Sequence, residues 1–234
     1  MEFKILYQDD YFVAIEKPAG IMVHRQGRSD DRTVVLQELR NQLGRHVYPV
    51  HRLDRGTAGV LVFALNSNSA AALQKALEAE TAIKSYLAIV RGWLPNSGKI
   101  DSPLQKDGDG IMQTALTTYV CLQKSELEVP VDRYPTARYS LAAVRIFTGR
   151  MHQIRRHFAH LRHPVLGDKK RGDRHHNRAW ASNFEMESMM LMARQLSFVH
   201  PFTQEKIELI ASPTSEFSRS LEILGMQMPE FLDI

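Results

Sequence analysis

The continuous apolar runs of this sequence are short, and their length constrains the fold more than any other feature. GVLVFAL from Gly59 and MMLMA from Met189 have the length of a buried strand and fall far short of a bilayer span. A strand without polar alternation is covered on both faces, so VLVFAL is expected in the interior of a layered domain. We therefore expect a folded globular chain without a membrane-spanning segment.

Strand and helix patterns are mixed along the chain, and no break in composition divides it. Strands are predicted in FKILY, YFVAIEKP, HVYPVHRLD, VLVFAL and SYLAIV, with a hairpin in LSFVHPFTQEKIELIA that turns at 201–204. QKDGDG at 105–110 favours a turn. The mixture predicts the α+β class and a single domain over residues 1–234.

Three helices are predicted from their caps or their apolar spacing. The first runs through TVVLQELRNQL, with an N-cap among residues 29–31 (SDD) and a stop at Gly44. The second, SNSAAALQKALEAE, is rich in good helix formers and has Ser67 or Asn68 as its cap. TSEFSRSLEILG is an amphipathic pattern near the C-terminus.

A fourth helix is predicted within TGRMHQIRRHFAHLRHP. It begins at Met151, and the apolar residues Ile154 and Phe158 share one face at helical spacing. That face packs into the core, whereas Arg155 is expected to point away from it. Pro164 fits just beyond the helix end.

A metal site is the tempting explanation for the histidines of this segment, His152, His157, His160 and His163. Their spacing matches no zinc motif, and no cysteine lies near them. Cys121 is the sole cysteine, which also excludes intrachain disulfides and thiolate zinc clusters. Histidines on the basic surface of a helix are an adequate explanation, so no metal is predicted.

The positive charge of the chain is concentrated in one block. The net charge is only +4, but residues 150–178 hold seven arginines and two lysines against two aspartates. Phosphate contacts dominate nucleic-acid affinity, so this basic block predicts an RNA or DNA partner, with a solvated basic face as the alternative. The N-terminal MEFKILYQDD lacks the apolar centre of a signal peptide, which predicts a cytoplasmic protein.

The stretch VHRLDRGTAG places Asp54 between Arg52 and Arg55 at the end of a predicted strand. An ordinary surface salt bridge or a turn bond to the following backbone would explain such an aspartate. A carboxylate that acts as a nucleophile or base would also be placed beside arginine, because the positive charge favours its ionised form. The residue types alone leave both interpretations open.

Three motifs, in this order, resemble those of the RluA-type pseudouridine synthases: HRLDRGTAG at 51–59, KSYLAIVRG at 84–92 and TGRMHQIRRHFAHLRHPVLGD at 148–168. ILYQDDYFVAIEKPAGIMVH is similar to the family's entry strand, and FVHPFTQEKIEL to its closing hairpin. The resemblance covers nearly the whole chain. It implies one catalytic domain with a mixed, largely antiparallel sheet, flanking helices and a central active-site cleft, without a separate N-terminal RNA-binding domain.

The resemblance also implies roles for individual residues. Asp54 would be the nucleophile, Tyr86 the aromatic residue that stacks on the uracil, and Arg150 the charged partner of the aspartate. Arg52 would bind the RNA substrate, where it holds the flipped nucleotide or fills the space that the nucleotide leaves. Arg155 is a candidate for binding the RNA because it begins the basic stretch 155–178. The reaction needs no cofactor and no metal. The chain departs from the family pattern after the catalytic loop, where Thr-Ala-Gly replaces the frequent Thr-Ser-Gly and removes one hydroxyl.

The substrate that the resemblance implies is tRNA, without an obligatory protein partner. RYPTARYSL at 133–141 and the doubled arginine of QIRRHFAHLRHP are most similar to a branch that modifies uridine 65 of certain tRNAs. Two alternatives stay open. One is a ribosomal RNA pseudouridine synthase of the same family, and the other is a catalytically silent RNA-binding protein on this scaffold.

Overall fold

The computed structural model describes residues 1–25 and 33–230 of the chain. The strands in these ranges are β1 (Ile5–Gln8), β2 (Phe12–Lys17), β3 (Tyr48–Pro49), β4 (Ala58–Ala64), β5 (Ile83–Arg91), β6 (Ser97–Asp101), β7 (Leu104–Gln105), β8 (Met112–Gln113), β9 (Leu116–Leu127), β10 (Ala137–Ile146), β11 (Leu191–Val199) and β12 (Lys206–Ile210). The helices are α1 (Val35–Leu43), α2 (Ser67–Glu78), α3 (Gln153–His160), α4 (Arg174–Phe184) and α5 (Ser215–Ile223).

Two compact units divide these elements. The first unit comprises residues 1–84 and 193–212, and the second comprises residues 85–192 and the chain from Pro213 onward. Each unit is built from antiparallel strands with helices, so the predicted α+β class is confirmed, and both the single domain over 1–234 and the central cleft stay predictions. None of the helices in the described ranges is long and apolar enough to cross a bilayer.

β4 is the central strand of the first unit. It pairs antiparallel with β2 from Phe12 opposite Ala64 to Lys17 opposite Gly59, and β1 continues the sheet beyond β2. All seven residues of β4 are buried, as the unbroken apolar run predicted. Gly59 is required here, because its φ is +116° and a Cβ would overlap the backbone of Ala193.

β10 is the central strand of the second unit. It pairs antiparallel with β5 on one side and β9 on the other, and β6 continues the sheet beyond β9. Ile154 and Phe158 of α3 are buried in a core cluster with Tyr119 of β9 and Val144 of β10. This packing confirms the predicted apolar face of the helix and fixes its position against the sheet.

Several predicted boundaries were wrong. HVYPVHRLD forms a strand only at Tyr48–Pro49, after which the chain becomes a loop. α3 begins at Gln153 and not at Met151, since His152 has a left-handed backbone with φ +55° that a right-handed helix does not accept. The N-cap of α2 is Asn66, whose side chain accepts a hydrogen bond from the amide of Ser69.

Other local predictions are confirmed. Gly44 ends α1 in the left-handed conformation, although the predicted N-cap at 29–31 lies outside the described residues. β11 and β12 form the predicted hairpin, and α5 begins after Thr214 with a buried apolar face. α4 was not predicted, because it buries only Trp180 and has little apolar periodicity.

Candidate active site

Asp54 lies in a loop of the first unit that joins β3 to β4. The amide of Thr57 donates to the carbonyl of Asp54 at 3.0 Å, which forms a tight turn. The amide of Gly20 donates to the carbonyl of Arg55 at 2.8 Å, and Nε of Arg55 donates back to the carbonyl of Gly20 at 2.9 Å. The loop is therefore tied to the segment that follows β2.

Lys17, the last residue of β2, binds this loop through its buried ammonium group. Its side chain is only 1% exposed, and Nζ donates to the carbonyls of Pro18 at 2.7 Å, Arg55 at 3.2 Å and Thr57 at 2.8 Å. Burial lowers the pKa of Lys17 to about 7, and the negative charge of Asp54 opposes that shift. The three carbonyls match the three N–H bonds of an ammonium, so we take Lys17 to be charged at neutral pH.

His51 anchors the same loop to β4. The backbone amide of Val62 donates to its Nε2 at 3.0 Å, which requires an unprotonated Nε2. Burial, with a contribution from the charge of Lys84, lowers the pKa of His51 to about 3. The neutral ring is thus a fixed acceptor. Sequence reasoning assigned no role to it, and only its place within the HRLD motif could have drawn attention to it.

Arg52 lies on the exposed side of the loop. Burial lowers the pKa of His24, and the positive charge of Arg52 lowers it further. The guanidinium therefore acts electrostatically on the segment after β2 as well as flanking Asp54. An exposed cation at this point is suited to contact a phosphate or a nucleotide.

Tyr86 lies on β5 of the second unit, opposite Val144 of β10. Its ring is partly buried and packs against the core cluster around α3. Tyr86 therefore does pack in the core, and the exposed part of its side chain remains available for stacking on a base. Both roles considered for Tyr86 are compatible with this position.

Arg150 lies in the loop between β10 and α3 of the second unit. Its Nε donates to the carbonyl of Thr114 at 3.0 Å, and its backbone amide donates to Oε1 of Gln153 at 3.1 Å. The side chain and the main chain of Arg150 are thus fixed by two different partners.

A buried chain of hydrogen bonds through Thr148, Gln153, Thr117 and His157, called the relay below, runs from the Arg150 loop to the end of β6. The hydroxyl of Thr148 donates to Oε1 of Gln153 at 2.7 Å, and Nε2 of Gln153 donates to Oγ1 of Thr117 at 3.0 Å. Thr117 lies 2.9 Å from Nδ1 of His157, whose Nε2 lies 3.0 Å from the carbonyl of Ser102. Because that carbonyl only accepts, His157 carries its proton on Nε2, and Thr117 donates to Nδ1.

This relay was missed by the sequence reasoning. Gln153 is only 4% exposed and His157 only 1% exposed, so neither faces an RNA from the surface. Burial lowers the pKa of His157, although its hydrogen bond to Ser102 opposes that shift. The described residues include no group of three or more His, Cys, Asp or Glu side chains arranged to hold a metal ion.

Arg155 has a structural partner. Its Nε and NH2 groups both donate to the carboxylate of Asp168 at 2.7 Å, and the Arg155 side chain is buried. Burial alone would raise the pKa of Asp168, but the hydrogen bonds from Arg155 and from the amides of Lys170 and Arg171 lower it on balance. The expectation that Arg155 points away from the core was wrong, whereas its role as a substrate contact stays a prediction.

The predicted site residues are divided between the two units. Asp54 and Arg52 belong to the first, whereas Tyr86, Arg150 and Arg155 belong to the second. Their assembly into one site stays a prediction.

Comparison with known proteins gives concordant matches. The family described as RNA pseudouridylate synthase matches residues 11–160. A protein of Pasteurella multocida named tRNA pseudouridine synthase C is 48% identical, over 97% of this chain and 98% of the relative. A protein of Vibrio cholerae with the same name is 42% identical, over 96% of each chain.

Solved structures agree at the level of the fold. Human RNA Pseudouridylate Synthase Domain Containing 4 is 26% identical with a TM-score of 0.73, over 97% of this chain and 95% of the other. Human RNA Pseudouridylate Synthase Domain Containing 1 is 23% identical with a TM-score of 0.70, over 91% of this chain and 84% of the other.

Proposed function

Since the chain belongs to the RNA pseudouridylate synthase family, we propose that it converts a specific uridine of tRNA to pseudouridine, with Asp54 as the nucleophile. The observation that carries the proposal is the Asp54 loop, which the buried Lys17 fixes through the backbone carbonyls of Arg55 and Thr57. The relatives named tRNA pseudouridine synthase C, which match nearly the whole chain, support tRNA as the substrate. The proposed target is uridine 65 of certain tRNAs, which is the position that the sequence resemblance implies.

The reaction is an isomerisation in which atoms and electrons balance within the nucleotide. The bond between ribose C1′ and uracil N1 breaks, the uracil turns, and C1′ bonds to C5. The proton on C5 is lost, and N1 gains one. No oxidant, phosphoryl donor or other co-reactant is consumed.

The proposed roles are those that the sequence resemblance implies, and the position of each side chain within its own unit is compatible with them. The carboxylate of Asp54 acts on the nucleoside, and its negative charge interacts with the buried side chain of Lys17. Arg150 supplies the second positive charge, and Tyr86 stacks on the uracil with the part of its ring that is not packed. The target must leave the RNA stack to reach these groups, and Arg52 contacts the flipped nucleotide.

Tritium release tests the proposal. Uridine labelled at C5 loses its tritium only when C5 becomes the attachment point to ribose. We expect release from an unmodified tRNA transcript with the unaltered protein and none with Asp54→Asn, which keeps the size of the side chain and removes its charge. Asp10→Asn, a matched change at an exposed aspartate of the same unit, should release tritium at the normal rate.

Other outcomes would contradict specific parts of the proposal. Turnover by Asp54→Asn would remove Asp54 as nucleophile. Release from ribosomal RNA and not from tRNA would keep the chemistry and overturn the substrate. Tight tRNA binding without release from either RNA would favour the silent RNA-binding protein. A cytoplasmic location, predicted from the N-terminal sequence, is a separate proposal that fractionation of cells would test.

A further inference from the structure

A basic cleft opens on the second unit, and its lining includes none of the residues assigned to the chemistry. It has a volume of about 440 Å³, in the range of ligand-binding sites. Its walls are Arg156, His157 and His160 of α3, the loop residues Lys170 and Arg171, and the segment 102–104 after β6.

The charged side chains that line this cleft are all positive. Three of the lining residues are arginine or lysine, and none is aspartate or glutamate. His160, Lys170 and Arg171 are exposed, so their polar ends can meet a ligand from solvent. Such a set of donors without a carboxylate selects an anion, and the planar forks of arginine match the oxygens of a phosphate.

Hydrogen bonds to neighbouring groups fix the residues that line the cleft. The carboxylate of Asp168 accepts from the amides of Lys170 at 2.9 Å and Arg171 at 3.1 Å, and the buried Arg155 holds that carboxylate in place. On the opposite side, NH1 of Arg156 donates to the carbonyl of Gln105 at 2.8 Å. The cations are therefore presented by ordered backbone, which reduces the entropy lost on binding.

The floor of the cleft is connected to the Arg150 loop. Ser102 and His157 line the cleft and also form one end of the buried relay through Thr117 and Gln153. The relay ends at the backbone amide of Arg150. A phosphate bound in the cleft would thus lie at a fixed position relative to Arg150, as a substrate subsite requires.

We propose that this cleft binds a backbone phosphodiester of the substrate RNA, outside the nucleotide that reacts, and so sets the register of the RNA. The identity of the RNA rests on the proposed function, whereas phosphate recognition rests on the cleft itself. Arg156, Lys170 and Arg171 contact the phosphate oxygens. His157 is held neutral within the relay and forms the floor.

The test compares two double variants with the same change in charge. Lys170→Gln with Arg171→Gln removes two cations of the cleft. Lys169→Gln with Arg178→Gln removes two exposed cations of the same basic block that do not line it. Both are made in the full chain carrying Asp54→Asn, so that no turnover occurs, and binding of an unmodified tRNA transcript is measured over a range of KCl concentrations. Thermal unfolding checks that both variants are folded.

We expect the cleft variant to weaken tRNA binding about tenfold or more at low salt. The slope of log K against log salt should fall by about 0.7–0.9 for each RNA phosphate that the protein no longer neutralises. The control variant should change both quantities much less. Equal decreases in affinity in the two variants would show a diffuse basic surface and overturn the inference, as would unchanged binding in the cleft variant.

Binding of inorganic phosphate distinguishes an RNA phosphodiester from a free phosphate compound as the ligand of the cleft. If phosphate alone binds the unaltered protein and the cleft variant loses that binding while its tRNA affinity is normal, the cleft serves a free phosphate compound, and the RNA assignment is wrong. The binding measurement does not depend on catalysis. A chain that binds tRNA through the cleft yet releases no tritium would contradict the proposed function and leave this inference intact.

Discussion

Single residues at the Asp54 loop have roles that no local pattern reveals. Lys17 is 38 positions away in sequence from Arg55 and 40 from Thr57, yet its ammonium joins both carbonyls. The loop conformation is therefore encoded by β2 as much as by the HRLD motif itself. The two arginines that flank Asp54 differ in their contacts, because the Arg55 side chain donates to the carbonyl of Gly20 whereas Arg52 is exposed.

Lys17→Met tests this arrangement. Methionine has a similar length but no donor, so the carbonyls of Pro18, Arg55 and Thr57 lose their common partner, and the loop is free to shift. A displacement of about 1 Å at reacting groups can cost roughly a hundredfold in rate. We expect tritium release from tRNA to slow by about that factor, with tRNA binding nearly unchanged.

Lys75→Met is the control for this prediction, since Lys75 is an exposed lysine of α2 in the same unit. The Lys75→Met variant should release tritium from tRNA at the rate of the unaltered protein. A Lys17→Met protein that is folded and turns over normally would show that the three carbonyl bonds do not position Asp54.

At the scale of elements, α3 and the strands around it form a polar framework inside an apolar core. The relay uses each donor and acceptor of Gln153: Oε1 accepts from Thr148 and the Arg150 amide, and Nε2 donates to Thr117 and to the carbonyl of Leu116. A fully satisfied buried network favours one geometry and is costly to break.

Gln153→Leu should release the Arg150 loop. Leucine fills a similar volume but leaves Thr148, Thr117 and the Arg150 amide without their shared partner, which costs about 1–3 kcal/mol for each buried group left unsatisfied. We expect the single-turnover rate at saturating tRNA to fall at least about tenfold, while the dissociation constant for tRNA changes less.

Gln227→Leu, a substitution at an exposed glutamine of the same unit, is the matched control and should leave the rate unchanged. Equal decreases in rate and in tRNA affinity for Gln153→Leu would indicate a general loss of structure. That result would remove Gln153 as a positioning residue for Arg150.

At the scale of the whole molecule, the sequence predicts what depends on short patterns. The buried strand β4, the hairpin of β11 and β12, and the apolar face of α3 follow from periodicity and turn residues. The contacts between residues distant in sequence do not follow from such patterns. Charge and spacing placed Arg155 on an RNA-binding surface, but Asp168 holds it inside, because burial of an arginine depends on a carboxylate that the fold supplies.

The pH dependence of stability is a property of the whole chain that the structure predicts. Burial lowers the pKa of His51 to about 3 and also lowers the pKa values of His157 and His176. Below the ordinary histidine pKa of about 6.5, the unfolded chain takes up protons that these histidines do not take up in the folded protein. The free energy of unfolding is therefore at its full value above that pH and falls below it, by at most about 1.4 kcal/mol per pH unit for each histidine.

Urea unfolding between pH 7.5 and pH 4.5 measures this decline, because the carboxylates with lowered pKa values titrate mainly below that range. His51→Gln should make the decline shallower, since glutamine offers Oε1 to the amide of Val62 and does not titrate. His46→Gln, at an exposed histidine of the same unit, should give the slope of the unaltered protein. A slope unchanged by His51→Gln would mean that His51 is protonated as readily in the folded chain as in the unfolded one, and the loop anchor on β4 would then need a different acceptor.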